Sequence, residues 1–485
     1  MNIKMICRIT ALAVLISAAF MFAPLFIAVA DGQTRNIWAY AITIIGMGVF
    51  SAVMLIVSRS SKNTFYAQEG FAATSISWIV MSLFGALPFC LSGEIPSYID
   101  ALFEIVSGFT TTGASILSDV EALSRCNLYW RSFSHWLGGM GMLVFILAVL
   151  PQAKKTAGYG MHLMRAESPG PSVGKLTPQL RQTAMILYGL YVLLTVICFG
   201  FLVIGGMPVF DSLCISFGTA GTGGFAVLNS SMAGYSVYLQ GVVTVFMFLF
   251  GVNFSLYYLL LLGQIGNVFR NEELRLYAGI AGGSILLITL NIAKMYGSGA
   301  EAFRHAAFQV SSIMTTTGFA STDFEQWPAF SKAILFLLMF IGACAGSTGG
   351  GLKVSRVLLL LKSIGRTIGD ALHPRRVHTV HMDGRVVEEK VSNTVNAYFA
   401  VYFMIVLLSF VLISVDGYSI GTNISAVTAC FNNIGPGFEM VGATGNYGHF
   451  SIFSKLILTA DMLLGRLEIF PILVLFSPDT WSRKR

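Results

Sequence analysis

Four short polar segments that contain glycine carry residue types able to bind a cation. Thr-Thr-Thr-Gly occurs at 110–113 and again at 315–318, and two weaker relatives, "FGTAGTGGFA" and "FNNIGPGF", lie at 217–226 and 431–438. Extended segments of this kind can turn backbone carbonyl oxygens toward one axis, because glycine permits conformations that are closed to other residues. Neutral oxygens suit a dehydrated monovalent cation, whereas a ring of carboxylates would suit divalent ions better. The four segments therefore predict a path for an alkali cation.

These segments must be positioned by membrane-spanning helices. The chain has 485 residues, of which 55% are hydrophobic and 11% charged, whereas soluble proteins average about 25% charged residues. Its mean hydropathy is +0.74. Runs near or above the roughly 20 residues that cross a bilayer number ten, at 9–30, 38–57, 71–92, 132–151, 184–206, 237–262, 276–293, 333–361, 397–415 and 454–476. The first run is longer than a usual signal-peptide core, so it is interpreted as a retained span.

The basic residues predict the orientation of the spans. Residues 152–181 hold five basic residues and one acidic residue, and residues 353–390 hold eight basic and four acidic residues. Because cytoplasmic loops carry an excess of Lys and Arg, both segments are expected on the cytoplasmic side. Ten crossings then place both termini in the cytoplasm, consistent with Lys4 and Arg8 at one end and the basic residues 483–485 at the other.

Each polar segment closes a stretch too short to cross a bilayer, at 99–112, 209–222, 302–317 and 420–434. Non-helical backbone survives in a membrane only where protein buries it or where it lines a water-filled cavity. The predicted fold is an all-α polytopic membrane protein with about ten transmembrane helices and four re-entrant pore loops in a pseudo-fourfold arrangement. Its units are an N-terminal pair of spans (1–68), a first repeat (69–152), a second repeat with its cytoplasmic linker (153–270), a third repeat (271–362), a basic cytoplasmic linker (363–391) and a fourth repeat (392–485).

Other classes of protein fit the sequence less well. Small-residue stretches can simply pack helices together, but four copies in register, each between two spans, favour a pore over a scaffold. A membrane enzyme would need a nucleophile with a base or a metal cluster, and the chain contains no HExxH motif. The seven cysteines have no CxxC spacing and indicate neither a disulfide framework nor a zinc site. A carrier that couples cation entry to protons or sodium remains open.

Six stretches of the sequence resemble one known family. "TTTGAS", "GTGGFA", "TTTGFA" and "NIGPGF", with "SHWLGGMGMLV" at 134–144 and "AGSTGGGLKVSR" at 345–356, are similar to the Trk/Ktr/HKT superfamily of potassium transporters, and within it to its bacterial Trk-system branch. The resemblance covers essentially the whole chain. It implies a single-chain, channel-like pore for potassium uptake, in the bacterial inner membrane, as a homodimer gated by a cytosolic nucleotide-binding ring, TrkA. Potassium, with rubidium in its place, is the expected substrate, and neither an organic cofactor nor a nucleic-acid partner is expected.

By position, the resemblance implies a potassium filter made of one tetrad from each loop. All four loops keep glycine where some relatives place a serine in the first loop, a change that accompanies sodium permeability, so potassium is expected to be preferred over sodium. The fourth loop departs most from the pattern, with two asparagines and Pro436 after the glycine. The expected filter residues are Thr110, Thr111, Thr112, Gly113, Ala220, Gly221, Thr222, Gly223, Thr315, Thr316, Thr317, Gly318, Asn432, Asn433, Ile434 and Gly435.

The eighth predicted span contains a run of glycines that should break its helix. Each interior glycine costs up to about 1 kcal/mol relative to alanine. One interpretation is a passive kink, and a phosphate-binding loop is excluded because no Gly-Lys-Ser/Thr follows at the required spacing. The resemblance instead implies a gate below the filter, in which Arg466 forms a positive barrier; Arg466 could otherwise pair with Asp461 or Glu468, or bind lipid headgroups. The expected gate residues are Gly346, Ser347, Thr348, Gly349, Gly350, Gly351 and Arg466.

Two polar clusters between spans have alternative interpretations. The acidic residues Asp119, Glu121, Asp323 and Glu325 would concentrate cations at the mouth of a pore, or they are ordinary solvated loop charges. In "HPRRVHTVH" at 373–381, His378 and His381 lack carboxylate or thiolate companions, so a basic connector that docks the regulatory ring is favoured over a metal site.

Overall fold

The computed structural model describes residues 1–59, 67–141, 180–373, 375 and 378–481. Residues 152–179 of the basic segment 152–181, and the basic residues 483–485, lie outside these ranges. The helices are α1 (Ile3–Phe20), α2 (Phe22–Ala30), α3 (Thr34–Val57), α4 (Ala67–Gly85), α5 (Leu87–Ser92), α6 (Tyr98–Phe109), α7 (Arg125–Gly139), α8 (Leu180–Ile204), α9 (Val209–Gly221), α10 (Val237–Phe250), α11 (Phe254–Leu261), α12 (Ile265–Arg270), α13 (Glu272–Ile292), α14 (Gly299–Met314), α15 (Ala329–Ile341), α16 (Val354–Leu372), α17 (Glu389–Ile413), α18 (Ile420–Phe431), α19 (Ile452–Arg466), α20 (Phe470–Phe476) and α21 (Pro478–Trp481).

Long apolar helices confirm the all-α membrane fold. Within the described residues, six segments are long and apolar enough to cross a bilayer: Ile3–Ala30, Thr34–Val57, Gln68–Ser92, Gln182–Ile204, Glu272–Ile292 and Glu389–Asp416. A seventh is formed if α10 and α11 are counted as one span bent by 91°. On α3, five apolar residues spaced along one face are exposed, as a lipid-facing surface requires; they are Ile42, Ile45, Val49, Val53 and Ile56.

The four predicted half-helices are α6, α9, α14 and α18, of 12, 13, 16 and 12 residues. A helix of this length is too short to cross a bilayer, which takes about 20 residues. Three of them begin at a serine whose hydroxyl accepts the N–H of the third helical residue: Ser97, Ser298 and Ser419. Because serine followed three residues later by an acid is a sequence signal for a helix start, Ser97–Asp100 and Ser298–Glu301 explain where α6 and α14 begin.

The second helix of three repeats is interrupted. α10 and α11 are separated at Gly251–Asn253, where the Asn253 side chain accepts the N–H of Ser255 at 2.9 Å and caps α11. α15 and α16 are separated by residues 342–353, as the glycine run predicts. α19 and α20 are separated at 467–469, where Glu468 and Ile469 have positive φ. The sequence therefore predicted one interruption, and the described residues contain two more.

The remaining elements fix these repeats in place. α13 packs against α14 and α15, and α17 packs against α18 and α19. Between α16 and α17 the chain forms a two-residue hairpin, β1 (His381–Met382) and β2 (Arg385–Val386), in which His381 pairs with Val386. The packed helices surround four polar segments that follow α6, α9, α14 and α18.

Candidate cation site

The backbone of the four polar segments repeats one conformation. In each segment a residue with positive φ is followed two positions later by a glycine with positive φ: Thr111 and Gly113, Thr222 and Gly224, Thr316 and Gly318, and Asn433 and Gly435. The residue between them donates its N–H to the carbonyl five residues earlier, as Thr112 does to Ser107 and Gly223 does to Gly218. Since positive φ is uncommon outside glycine, this pattern identifies the equivalent residues of the four loops.

The second segment is shifted by one residue from its predicted register. The prediction equated Gly223 with Gly113 and began the second tetrad at Ala220. In the structure Gly224 has the glycine conformation of Gly113, and Ala220 lies in the last turn of α9. The second tetrad is therefore Gly221–Gly224. Spacing did not separate two adjacent glycines, but the shared Gly-Phe-Ala at 224–226 and 318–320 is a sequence signal for the correct one.

The four tetrads close into a ring. A Cβ added to Gly113 would collide with the carbonyl oxygen of Gly223 in the next tetrad, and one added to Gly224 would collide with that of Thr317. The same relation joins Gly318 to the carbonyl of Ile434, and Gly435 to that of Thr112, which returns to the first tetrad. Each glycine thus packs against the carbonyl that precedes the next glycine. Four equivalent backbone oxygens are therefore arranged in a closed cycle, each against the glycine of the neighbouring tetrad.

Threonine side chains fix the first and third tetrads of the ring through the same pattern of hydrogen bonds. The Thr110 hydroxyl donates to Val106 O at 2.7 Å and lies 2.8 Å from the Thr112 hydroxyl. Thr315 repeats this arrangement, donating to Ser311 O at 2.6 Å and lying 2.7 Å from Thr317 Oγ1. These bonds hold the threonine side chains against the half-helix that precedes each tetrad.

In the fourth loop, asparagine side chains make the hydrogen bonds that threonine makes in the first and third. Asn432 Nδ2 donates to Thr428 O at 2.9 Å, four residues back as in the threonine loops, and its Oδ1 accepts from Tyr402 at 2.9 Å. Asn433 Nδ2 donates to Thr112 Oγ1 of the first loop at 3.0 Å and to Met462 O at 2.9 Å. The fourth loop, which departs most in sequence, therefore keeps the backbone path by other hydrogen bonds.

His135 supports the second tetrad, and sequence reasoning did not predict this role. It is fully buried, its Nδ1 lies 2.8 Å from Gly108 O, and its Nε2 accepts the Phe225 N–H at 3.2 Å. These two bonds require the neutral ring with its proton on Nδ1. A Cβ on Gly223 would collide with the same ring. His135 thus joins α6 to Phe225, the residue that follows the second tetrad.

A buried ion pair, also missed, joins the exits of the first two tetrads. Arg131 Nε lies 2.5 Å from Glu104 Oε1, and the two side chains are 3% and 0% exposed. Glu104 also accepts the N–H of Ile116 at 3.0 Å, while Arg131 donates to Ala226 O at 3.1 Å. The guanidinium carbon of Arg131 lies 3.5 Å from the ring centroid of Phe225. The pair fixes the chain where it leaves the first and second tetrads.

Removing one charge of this pair is expected to destabilise the fold. Glu104→Gln leaves the Arg131 charge buried and uncompensated, which costs about 3–5 kcal/mol in buried pairs. We expect a clear fall in the melting temperature of the detergent-solubilised protein, followed by fluorescence-detected size exclusion after heating. Asp31→Asn is the matched control, because the Asp31–Arg125 pair is exposed, at 21% and 59%, and such pairs contribute about 0–1 kcal/mol. Equal melting temperatures for the two variants would contradict the assignment.

A cavity opens on the glycine side of the ring and is lined by all four ring glycines, Gly113, Gly224, Gly318 and Gly435. We call it the vestibule. Asp119, Glu121, Asp323 and Glu325 are not among the described residues that line it. Asp119 Oδ1 accepts from Asn229 Nδ2 at 2.8 Å and Glu121 from Asn229 N at 2.9 Å, while Glu325 accepts the N–H of Glu439 at 2.7 Å. Through these bonds Asp119, Glu121 and Glu325 hold separate loops together.

The glycine-rich loop, residues 342–353, lies on the other side of the ring. The Gly350 N–H donates to Thr316 Oγ1 at 2.6 Å, and Cβ atoms at Gly349 and Gly350 would lie 2.8 Å from Thr315 O and 2.6 Å from Asn432 O. Thr315 and Asn432 begin their tetrads, whereas the ring glycines end them. The loop therefore packs against the end of the ring opposite the vestibule.

The break between α10 and α11 holds this loop. Cys344 N–H donates to Gly251 O at 3.0 Å, and Phe254 N–H donates to Gly346 O at 3.1 Å. The Thr348 hydroxyl adds a bond to Phe250 O at 3.2 Å. The break between α10 and α11, which the sequence did not predict, thus supplies backbone hydrogen-bond partners for the predicted break at the glycine-rich loop.

Two buried cations contact the glycine-rich loop. Arg466 donates to Thr348 O at 2.8 Å and to Gly138 O and Gly139 O at 2.5 and 2.6 Å. Its predicted alternative partners are engaged elsewhere, since Asp461 accepts from Ser409 at 2.7 Å and Glu468 pairs with Arg356. Lys353, which sequence reasoning missed, is 1% exposed and donates to Gly349 O within the loop.

Two further motifs have structural explanations. His378 Nδ1 lies 2.8 Å from Asp370 Oδ1, and no group of metal ligands is found among the described residues. "GYSIG" at 417–421 has the spacing of a hydrolase nucleophile motif, but Ser419 is the N-cap of α18 and donates to Glu439. Hydrogen bonds from Ser419 and Thr422 lower the pKa of the Glu439 carboxyl.

Comparison with known proteins agrees with this architecture. The TrkH family model, described as "Cation transport protein", matches residues 36–277 and 285–484. Trk system potassium uptake proteins TrkH of Salmonella typhimurium and Escherichia coli K12 are 36% and 35% identical over 490 residues, covering 99% of this chain and 100% of each relative. The crystal structure of the potassium transporter TrkH from Vibrio parahaemolyticus matches with a TM-score of 0.88 and 31% identity, over 99% of this chain and 100% of that one. The resemblance seen in the sequence is confirmed, and the chain belongs to the TrkH family of cation transport proteins.

Proposed function

We propose that this protein takes up potassium across the bacterial inner membrane through the ring of tetrads. The observation that carries the proposal is the cyclic contact of each ring glycine with the carbonyl before the next one. Four neutral oxygens at one level replace the hydration shell of a monovalent cation without a carboxylate in the ring. The names of the relatives, which are potassium uptake proteins, support the same substrate. Potassium is here the transported ion, and the filter is Thr110–Gly113, Gly221–Gly224, Thr315–Gly318 and Asn432–Gly435.

Passage is gated by the glycine-rich loop. The loop packs against the starts of the third and fourth tetrads, and Arg466 places a positive charge beside it. A cation that leaves the ring on this side meets the loop and two buried cations, Arg466 and Lys353, which oppose its passage. Opening requires the loop to move away from the tetrads.

The proposal includes the assembly expected from the sequence. The chain works as a homodimer with both termini in the cytoplasm, built from an N-terminal pair of spans and four repeats. A cytosolic nucleotide-binding ring, TrkA, docks on the basic linker at 363–391 and moves the gate. Exposed charges on this linker, such as Arg385 in its hairpin, support a docking role.

A symporter that couples potassium to protons or sodium is the second candidate, and Asp461 favours it. This carboxyl is 1% exposed within α19; Ser409 donates to one oxygen at 2.7 Å, and the other oxygen has no hydrogen-bond partner among the described residues. Ionisable groups buried in spanning helices commonly mark ion or proton pathways. Uptake that requires a proton or sodium gradient, and stops when the gradient is collapsed, would select this candidate over a passive pore.

The test is uptake of radioactive rubidium by liposomes that contain the purified protein, with potassium or sodium as competitor. We expect competition by potassium alone. In Gly113→Ser the added Cβ displaces the Gly223 carbonyl, because Gly113 has φ 80 and no space for it, while the serine hydroxyl supplies a replacement oxygen. Uptake should persist, and the advantage of potassium over sodium should fall about tenfold, the equivalent of about 1.4 kcal/mol. Equal competition by both ions in the unmodified protein would overturn the proposal.

A further inference from the structure

A single carboxylate oxygen binds both ends of the glycine-rich loop. Glu273, the second residue of α13, is 3% exposed. Its Oε1 accepts the N–H of Ala345 at 2.7 Å and the N–H of Ser355 at 3.1 Å. Ala345 precedes the run Gly346–Gly351 and Ser355 follows it. The loop is therefore closed by one acceptor on a helix of the same repeat.

The local electrostatics favour a carboxylate at this point. Ser355 is the second residue of α16, so its N–H has no partner within that helix, and the helix N-terminus attracts negative charge. Lys353, one of the two cations in the gate, lies between the two bound N–H groups in the sequence. Without Glu273, two buried N–H groups would lose their acceptor, each at a cost comparable to a lost hydrogen bond.

We propose that Glu273 is the positioning residue that holds the glycine-rich loop in its closed place against the filter. The effect on transport rests on the proposed function, whereas the effect on the loop does not. Both N–H groups bind the same oxygen, so glutamine at this position can keep the two bonds through its amide oxygen, while alanine loses both. The two hydrogen bonds set the position of the loop, and the negative charge of the carboxylate strengthens them.

The same end of α13 is tied to the hairpin between α16 and α17. Asp383 Oδ1 accepts the N–H of Glu272 at 2.8 Å, and Lys362 donates to His381 O at 2.6 Å while pairing with the Glu272 carboxylate. A displacement of the hairpin therefore pulls on the residue next to Glu273. This contact gives a route from the linker to the loop.

Native cysteines report on the loop without any transport assay. Cys344 lies in the loop and is buried, and Cys198 is equally buried on α8. The experiment measures N-ethylmaleimide labelling of each cysteine by mass spectrometry in the full-length detergent-solubilised protein. In Glu273→Ala we expect Cys344 to label at least about tenfold faster, while Cys198 stays protected, since local opening leaves the rest of the fold intact. Glu273→Gln should protect Cys344 as the unmodified protein does. Protection of Cys344 in Glu273→Ala, or equal labelling of Cys198, would overturn the proposal.

Rubidium uptake by the same variants separates this inference from the proposed function. We expect basal uptake to rise about tenfold in Glu273→Ala and to change less than about twofold in Glu273→Gln. Asp31→Ala, which removes the carboxylate between α2 and α3 from the exposed Asp31–Arg125 pair, is the control and should not change uptake. Faster Cys344 labelling with no rubidium uptake in any variant would support the positioning role and overturn the potassium function. Unchanged uptake in a Glu273→Ala protein that conducts rubidium would overturn the positioning role.

Discussion

The substitution Gly224→Ala is expected to abolish the rubidium uptake with which potassium competes. Gly224 has φ 77, and its Cβ would collide with the Thr317 carbonyl oxygen and lie 3.0 Å from the Gly318 carbonyl carbon. A left-handed conformation costs an L-residue about 1–2 kcal/mol, and the collision with backbone cannot be relieved by a side-chain rotation. Alanine, unlike serine, brings no oxygen to replace a displaced carbonyl. We therefore expect uptake to fall about a hundredfold or more in the liposome assay.

Two control variants accompany this measurement. Gly279→Ala makes the same chemical change on an exposed face of α13, where an added Cβ meets nothing within 4 Å, and it should leave uptake unchanged. Ala220→Gly alters the residue that the sequence alone placed in the second tetrad, and it should keep potassium competition because Ala220 belongs to α9. Uptake by Gly224→Ala within twofold of the unmodified protein would contradict the ring.

Removing Arg466 is expected to raise basal flux. Its guanidinium is 8% exposed and binds Thr348 O in the glycine-rich loop together with Gly138 O and Gly139 O at the end of α7. Hydrogen bonds to charged groups contribute about 1.5–3 kcal/mol each, so Arg466→Ala both loosens the loop and removes a positive barrier. We expect about a tenfold or greater increase in rubidium uptake in the absence of a cytosolic partner.

This comparison needs controls for the lost positive charge and for the amount of protein in each liposome. Arg125→Ala removes an equal charge from an exposed pair, in which the Arg125 side chain is 59% exposed, and should leave flux unchanged. Arg466→Lys keeps the charge but cannot span the same three carbonyls, so its flux should lie between those of Arg466→Ala and the unmodified protein. Lower flux from Arg466→Ala at equal protein per liposome would count against the barrier.

Much of this architecture is predictable because it depends on local pattern. Apolar length indicates the spans, and the four short stretches that end in glycine indicate the four half-helices. The register of the second loop is not given by spacing, because Gly223 and Gly224 are adjacent and only backbone conformation separates them. Breaks at Gly251–Asn253 and 467–469 have weak local signals, an N-capping asparagine and a proline at 471.

Apart from Arg466, the buried charges that support the site could not be predicted. Arg131 and Glu104 are 27 residues apart in the sequence, and Glu273 lies 72 and 82 residues from its two partners. Nothing in the local sequence around Glu273 or Lys353 distinguishes them from surface charges next to a span. Their partners are defined only when separate repeats pack together.

The ring is built by one chain, and this limits its symmetry. In a pore made of four identical subunits, one substitution alters every quadrant at once, whereas here it alters a single quadrant and leaves three native. The order of contacts places the first and third tetrads diagonally across the axis, and these two share the paired threonine hydroxyls. The second and fourth tetrads, with glycine and asparagine at the starting position, form the other diagonal. The loop side of the ring therefore lacks fourfold symmetry, and the two diagonals can be altered independently of each other.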